Sequence, residues 1–327
     1  MTPLVTAVVA TFNEERHIER CLRELLEQRD MHGKLEVLVV DGGSTDRTAE
    51  IVRSHPEFGS TIRLIENPKR FQVFAYNQGI RSANGTYVMF VVAHAEYGDD
   101  YIAQAIALSE RLDAANVGGT PKALGDGTIG RAIAYAMSSP YGVGDATFRY
   151  VDDERYVDSV LVGFVRRDVL LEIGGFNEDV PFDEDTDLNL RLRAAGYKLA
   201  TSPKLRCRYH VRRTLPELAS QMFRYGFWRR KSQLNFGARI PFRVLAPPAL
   251  VLGLALSAIA PQPLCWLVPG AYACFTAAAS AAATPKLGAL AMLMPFVLLT
   301  MHVSYGLGWL KGLLVHRAPG QAYGNRI

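Results

Sequence analysis

Between Phe242 and Val315 the chain carries only three formal charges, Arg243, Lys286 and Lys311, with His302 as the one further ionisable group. A water-facing surface needs charged side chains, so this stretch is shaped by apolar surroundings. Three segments, 242–260, 263–283 and 287–310, are each long enough to cross the apolar core of a bilayer, about 30 Å thick. The competing reading is three buried helices of a soluble bundle. Three such segments in succession, joined by links of a few residues, favour the membrane. Pro295 in the third admits a kink or a partly re-entrant course, which leaves the side of the tail, 316–327, open.

The preceding residues have a different character. Charged residues are spread evenly up to about Ser232 and make up 21% of the whole chain. The net charge of +4 is too small and dispersed to point to nucleic acid. Cys21, Cys207, Cys265 and Cys274 have neither metal-like nor disulfide-framework spacing, which suits a reducing compartment. The opening MTPLVTAVVATFNEER lacks a basic leader and reads as a first strand rather than a signal peptide.

Residues 4–10 (LVTAVVA), 35–40 (LEVLVV), 62–66 (IRLIE) and the run Tyr87–Val92 are apolar stretches of central-strand type. Helical patterns separate them, with Ile18, Leu22, Leu25 and Leu26 at helical spacing in the first. This alternation predicts an α/β fold with a mostly parallel, doubly wound sheet. Ligands of such sheets sit beyond the carboxyl ends of the strands, where Thr11, Asp41 and His94 fall. The helix that follows the first strand is expected to open at Thr11-Phe12-Asn13-Glu14-Glu15. Residues 214–236 form an arginine-rich, aromatic, amphipathic pattern, expected to lie flat in the headgroup layer or against the soluble part. Arg224, Arg229, Arg230, Lys231, Arg239 and Arg243 ahead of the first span place residues 1–213 on the cytoplasmic side. The domain plan is therefore 1–213 soluble, 214–241 interfacial, 242–315 spanning the membrane, and 316–327 a tail.

The ordered set TFNEE, VVDGGSTDRT, NPKRFQVFAYNQGIRSANGTYVMF and GGFNEDVPFDEDTDLNLRLRAAGY resembles family 2 glycosyltransferases with the GT-A fold, over about residues 3–230. The nearer likeness is to a membrane-bound subset, succinoglycan glycosyltransferases of the ExoA type. The resemblance implies an inverting transferase that moves a sugar from a nucleotide-sugar donor, most often a UDP-sugar, to a lipid-linked saccharide. It implies work at the cytoplasmic face of a multi-pass inner-membrane protein, for exopolysaccharide or another envelope glycan. It also implies a nucleotide pocket at Thr11, Asn13, Glu14, Asp41, Ser44, Arg70 and Ala93, and an acceptor side at Glu184, Arg212, Gln221, Arg224 and Trp228.

Each residue has a plainer alternative. Asp41 can bind a ribose or base, or be a turn residue that caps the following helix, which Ser44 or Asp46 could do better. Thr11 and Glu14 can line a pocket or start a helix, and Arg70 can meet a diphosphate or water. Four acids in Asp183-Glu184-Asp185-Thr186-Asp187 suit a helix N-terminus, yet their density raises at least one carboxyl pKa. Asp185 matches the family's base, and one carboxylate suffices to deprotonate an acceptor hydroxyl. Asp187 and Arg191, four apart, read as an ion pair. The family's metal-binding Asp-x-Asp is altered, because Val92 stands where the first aspartate belongs. His94, with Glu96 beside it, is the remaining ligand for Mn²⁺ or Mg²⁺, and arginines could neutralise the diphosphate instead. The departure supports a second reading, a catalytically silent nucleotide-sugar-binding membrane protein. A Rossmann oxidoreductase is disfavoured because no G-x-G-x-x-G follows the first strand. A transporter is disfavoured because the spans show neither repeats nor intramembrane charged pairs beyond His302 and Lys311. Oligomeric state is not legible.

Overall fold

The computed structural model describes residues 3–161, 163–236 and 241–315, so the expected tail at 316–327 lies outside the described residues. In chain order the elements run β1 (Val5–Thr11), α1 (Ile18–Leu26), β2 (Leu35–Asp41), α2 (Thr48–Arg53), β3 (Ile62–Glu66), α3 (Gln72–Ser82), β4 (Tyr87–Val92), β5 (Glu96–Tyr97), α4 (Tyr101–Leu112) and β6 (Asn116–Leu124). They continue with α5 (Gly127–Met137), α6 (Pro140–Val143), β7 (Arg155–Tyr156), β8 (Phe164–Arg166), α7 (Arg167–Glu172), α8 (Glu184–Ala194) and β9 (Leu199–His210). The last helices are α9 (Leu215–Phe236), α10 (Phe242–Ser257), α11 (Leu267–Leu287) and α12 (Met294–Leu314).

The chain forms two compact units, one of residues 1–122 and 151–209, the other of residues 123–150 and 210–327. The first unit holds the sheet, in the order β3-β2-β1-β4-β8-β6-β9-β5 with β7 on β9. β3, β2, β1 and β4 are parallel. The expected mostly parallel sheet is thus corrected to a mixed one, since β8 joins β4 and β6 antiparallel, and β5 and β7 join β9 antiparallel. The apolar runs of β1, β2 and β4 are continuous because both faces are covered. Val5, Ala7, Val9, Val37, Val39, Met89 and Val91 pack on one side with α1 and α4. Val8, Leu38, Val40, Val88 and Phe90 pack on the other with α3, α7 and α8. Period-2 alternation assigns each residue to one face.

In the second unit, Ala132, Ile133, Ala136 and Met137 of α5 share a core with Leu218 and Met222 of α9 and with Ala279, Met294, Leu298 and Met301. This apolar face of α5 is why residues 123–150 group with the C-terminal helices. α9 runs alongside α12 in nearly direct backbone contact. A Cβ on Gly226 would fall 2.0 Å from the Tyr305 carbonyl oxygen, and one on Gly308 would fall 2.0 Å from that of Phe223. Trp228, expected at the interface with lipid, is buried at 3% exposure.

Among the described residues one helical stretch, Leu264–Leu314, is long and apolar enough to cross a membrane, while the apolar α10 is shorter and holds Pro247 and Pro248 inside it. The expectation of three spans is therefore narrowed to that one stretch plus a short apolar helix. Within the stretch, Gly288 (φ +57°) closes α11 and turns the chain. Pro295 sits in the first turn of α12, where its missing N–H costs nothing. Eighteen large apolar side chains are exposed among the described residues, and fourteen of them lie between Phe242 and Leu314. Phe296, Leu299, Leu307 and Leu314 fall on one face of α12, and Phe242, Leu245, Leu252 and Leu256 on one face of α10. An apolar exterior of this extent marks a binding or membrane surface.

Candidate active site

The carboxyl ends of β1, β2 and β4 are level, with Thr11 opposite Asp41 and Ala10 opposite Val92. The loops leaving β1 and β2 are bonded to each other through side chains. Asp41, 7% exposed, accepts from the Thr11 hydroxyl (3.0 Å) and the Ser44 hydroxyl (2.5 Å) on Oδ1. Its Oδ2 accepts from the backbone N–H groups of Gly43 (3.2 Å) and Ser44 (2.9 Å). Four donors fill a carboxylate's acceptor capacity, so Asp41 ties the turn after β2 to the end of β1.

Asn13, in the left-handed region at φ +57°, donates its N–H to Ser44 Oγ (2.9 Å) and accepts from the Thr45 N–H on Oδ1 (2.8 Å). The Glu14 and Glu15 N–H groups donate to Thr48 Oγ1 and Asp46 Oδ2. These bonds explain why the helix expected to open at Thr11 starts only at Ile18: its first amides are satisfied by the neighbouring loop rather than by a cap.

Arg70, at φ +64°, closes the loop after β3. Its carbonyl oxygen would lie 3.2 Å from a Cβ on Gly42, and its guanidinium stands 5.6 Å over the Phe12 ring. Thr11, Asn13, Asp41, Ser44 and Arg70 thus form one rim. Ala93, buried, and His94 lie in the turn after β4. His94 Nδ1 is 2.9 Å from Glu14 Oε1, and the His17 ring stands 6.3 Å away, edge-on. Glu96, considered beside His94, is instead held by Arg20 at 3.1 Å. Val92 is half-buried and packs against the apolar core on the α1 and α4 side. Among the described residues no group of three His, Cys, Asp or Glu side chains could hold a metal ion.

The acidic segment lies next along the same rim. Phe71, which follows Arg70, meets Phe182 edge-on at 6.1 Å, and Lys69 pairs with Glu178 at 3.4 Å. Asp183 (φ +63°) turns the chain into α8 and accepts from the Thr186 hydroxyl at 2.9 Å. Asp187, fully buried, pairs with Arg191 at 2.9 Å as the spacing predicts. Glu184 and Asp185 line a cavity of ≈ 50 Å³ with Gln72, Tyr76 and Asn189. Gln72 donates to the Tyr76 hydroxyl, and Tyr76 stacks with Phe90 (4.7 Å) and Phe176 (5.2 Å). Sequence reasoning missed His17, Gln72, Tyr76 and Asn189. Asn189 stands four residues after Asp185 on α8, and Gln72 and Tyr76 are four apart on α3, so each lines the cavity by helical spacing. The remaining expected acceptor residues, Arg212, Gln221, Arg224 and Trp228, belong to the second unit.

Burial against this aromatic floor raises the Glu184 carboxyl to about 8, and repulsion from Asp185 adds to it. At neutral pH the protonated form of Glu184 is therefore favoured. The folded state keeps that proton to higher pH than the unfolded chain, so stability declines as pH rises from the ordinary carboxylate range to about 8. Glu184→Gln removes this titration. It should match the parent at pH 5 and be more stable by about 1–3 kcal/mol at pH 9. Thermal unfolding at the two pH values measures the difference, and parallel pH profiles would refute it.

Residues 6–174 match the family model described as glycosyl transferase family 2. The succinoglycan biosynthesis protein ExoA of Rhizobium meliloti is 30% identical over 245 residues, 74% of each chain. A dolichyl N-acetyl-alpha-D-glucosaminyl phosphate 3-beta-D-2,3-diacetamido-2,3-dideoxy-beta-D-glucuronosyltransferase of Methanococcus voltae is 28% identical over 253 residues, 74% of this chain and 78% of that one. In structure, the mannosyltransferase PcManGT of Pyrobaculum calidifontis, solved with GDP-Man and Mn²⁺, superposes with a TM-score of 0.62 at 23% identity. That likeness covers 96% of this chain and 88% of the other and shows a shared GT-A-type α/β fold.

Proposed function

Because the chain belongs to glycosyl transferase family 2, we propose that it transfers a sugar, with inversion, from a nucleotide-sugar donor to a lipid-linked saccharide acceptor during synthesis of an envelope glycan or exopolysaccharide. The observation that carries this reading is the Glu184–Asp185 pair, set in a cavity on the rim formed by the strand-end loops. Burial favours the protonated form of Glu184, which makes Asp185 the proton acceptor of the pair in this reading. Asp185 accepts the proton of the acceptor hydroxyl as that oxygen attacks the anomeric carbon from the face opposite the nucleotide. The bond to the nucleoside diphosphate breaks, and the diphosphate leaves with the bonding electron pair.

Thr11, Asn13, Asp41 and Ser44 hold the nucleotide loop in shape, and Arg70 offers a guanidinium to the diphosphate. A divalent cation, when bound, neutralises charge on the departing diphosphate. His94 and Glu14 are an imidazole and a carboxylate of the kind Mn²⁺ accepts, and with diphosphate oxygens they would hold it. Their mutual bond would have to open for this. The apolar exterior of α10–α12 supports attachment to the inner membrane with the first unit on the cytoplasmic side.

A second reading, a donor-binding protein without turnover, rests on Val92, whose side chain packs into the core instead of offering a ligand. One experiment separates the two. UDP-, GDP- and TDP-sugars are screened by thermal shift with and without Mn²⁺, and the stabilising donor is then assayed for hydrolysis and transfer. Stabilisation of about 2.7 kcal/mol is expected at a hundredfold excess over Kd, together with turnover. Binding without turnover would leave the second reading standing, and no binding would overturn both.

A further inference from the structure

The second unit contains a cavity of ≈ 460 Å³ that the proposed chemistry does not use. Its walls are mostly apolar, with Met137, Met222, Val244, Leu250 and Met301 among them. Three guanidinium groups, Arg149, Arg229 and Arg243, line it against a single carboxylate, Asp145. Arg243 is bound to Asp145 at 2.8 Å with only 12% of its side chain exposed. The lining therefore sets guanidinium groups beside apolar walls, the two chemistries an amphiphile presents. Tyr272 and His302, bonded to each other at 3.0 Å, add polar groups to the wall.

Two of the lining residues, Phe242 and Phe275, also belong to the exposed apolar exterior, at 81% and 39% exposure. The cavity thus opens on the surface that would face lipid. α9 contributes Met222, Tyr225 and Arg229, which share one helical face. The residues expected from sequence on the acceptor side, Gln221, Arg224 and Trp228, sit one position earlier and lie on the adjacent face. Gln221 instead donates to the Tyr225 hydroxyl at 3.1 Å.

We propose that this cavity binds an amphiphile with a phosphate head and one apolar chain, the carrier of the acceptor glycan. The inference rests on the reading that the acceptor is lipid-linked. Guanidinium groups match phosphate oxygens in two-point geometry. The volume falls in the range of small-molecule sites and suits a phosphate with the first units of one chain, not a whole two-chain phospholipid. The chain leaves past Phe242 and Phe275 into the bilayer, and the phosphate sits among Arg149, Arg229 and Arg243.

The test is saturation binding of radiolabelled farnesyl phosphate to the full chain in detergent. Farnesol, inorganic phosphate and phosphatidylglycerol serve as competitors, and donor binding is measured in the same preparation. Saturable binding is expected, displaced by unlabelled farnesyl phosphate and not by the other three. Arg229→Gln and Arg149→Gln should each weaken it tenfold or more, and Met301→Trp, which fills the cavity, should block it, with melting temperatures confirming that each variant folds. Absence of saturable binding, equal displacement by phosphatidylglycerol, or folded Arg229→Gln and Met301→Trp variants that bind like the parent would each overturn the site. Donor binding without farnesyl phosphate binding removes the lipid site alone, whereas absence of donor binding removes the functional reading, whatever the lipid does.

Discussion

Asp185→Asn is expected to lower sugar transfer by about 10²–10⁴-fold, the usual worth of a positioned general base, while donor affinity stays near that of the parent. Asparagine keeps the Oδ1 acceptor that receives the Thr186 N–H at 2.8 Å, so the start of α8 should hold its shape. What disappears is the proton acceptor. The neighbouring Glu184 is a poor substitute, because its burial favours the protonated form. Loss of the Asp185 charge should also let Glu184 ionise more easily, moving the pH dependence of stability towards the ordinary carboxylate range. Steady-state transfer assays and donor titrations measure the two effects. Turnover within tenfold of the parent would remove Asp185 as the base.

Gly226→Leu is expected to cost about 3 kcal/mol or more and to release α9 from α12. The groups that its side chain would strike are backbone: the Tyr305 carbonyl oxygen at 2.0 Å and the Trp309 nitrogen at 2.9 Å. No rotamer change can clear a backbone atom, so the helices must separate. Gly308→Leu should act alike, since its Cβ would meet the Phe223 carbonyl oxygen at 2.0 Å. Gly270 in α11 has nothing within 4 Å of its would-be Cβ. Gly270→Ala should therefore be neutral or slightly stabilising, through the better helix propensity of alanine. Melting temperatures and limited proteolysis at α9 distinguish these variants. A Gly226→Leu protein that melts with the parent would refute the close contact.

Much of the first unit was legible. The valine-rich runs became β1, β2 and β4 because strands covered on both faces need apolar residues at every position. Asp187 and Arg191 paired because a helix sets four-residue neighbours side by side. The antiparallel half was hidden: β8 is three residues long and β5 and β7 are two each, too short for alternation to show, while the longer β6 and β9 contain Gly118, Gly119, Pro121 and Pro203, which read against a strand. The rim was legible as positions but not as bonds. The use of all four acceptor sites on Asp41, and the meeting of His94 with Glu14 across 80 residues, depend on loop geometry that no local pattern encodes. In the second unit the apolar spacing of α9 was correct, but its partner was misjudged. Leu218 and Met222 pack on protein because glycines let α12 come close, a choice that amphipathicity alone leaves undetermined.

The interleaving of the two units along the chain has a practical outcome for anyone shortening this protein. Stopping at Tyr209 would retain residues 123–150 while discarding every helix against which Ala132, Ile133 and Met137 rest. A lone sugar-transfer unit would need an internal excision as well as a terminal one, rejoining Lys122 to Val151. The C-terminal helices cannot be exchanged by a single junction near Tyr209, because residues 123–150 would lose the helices on which they pack.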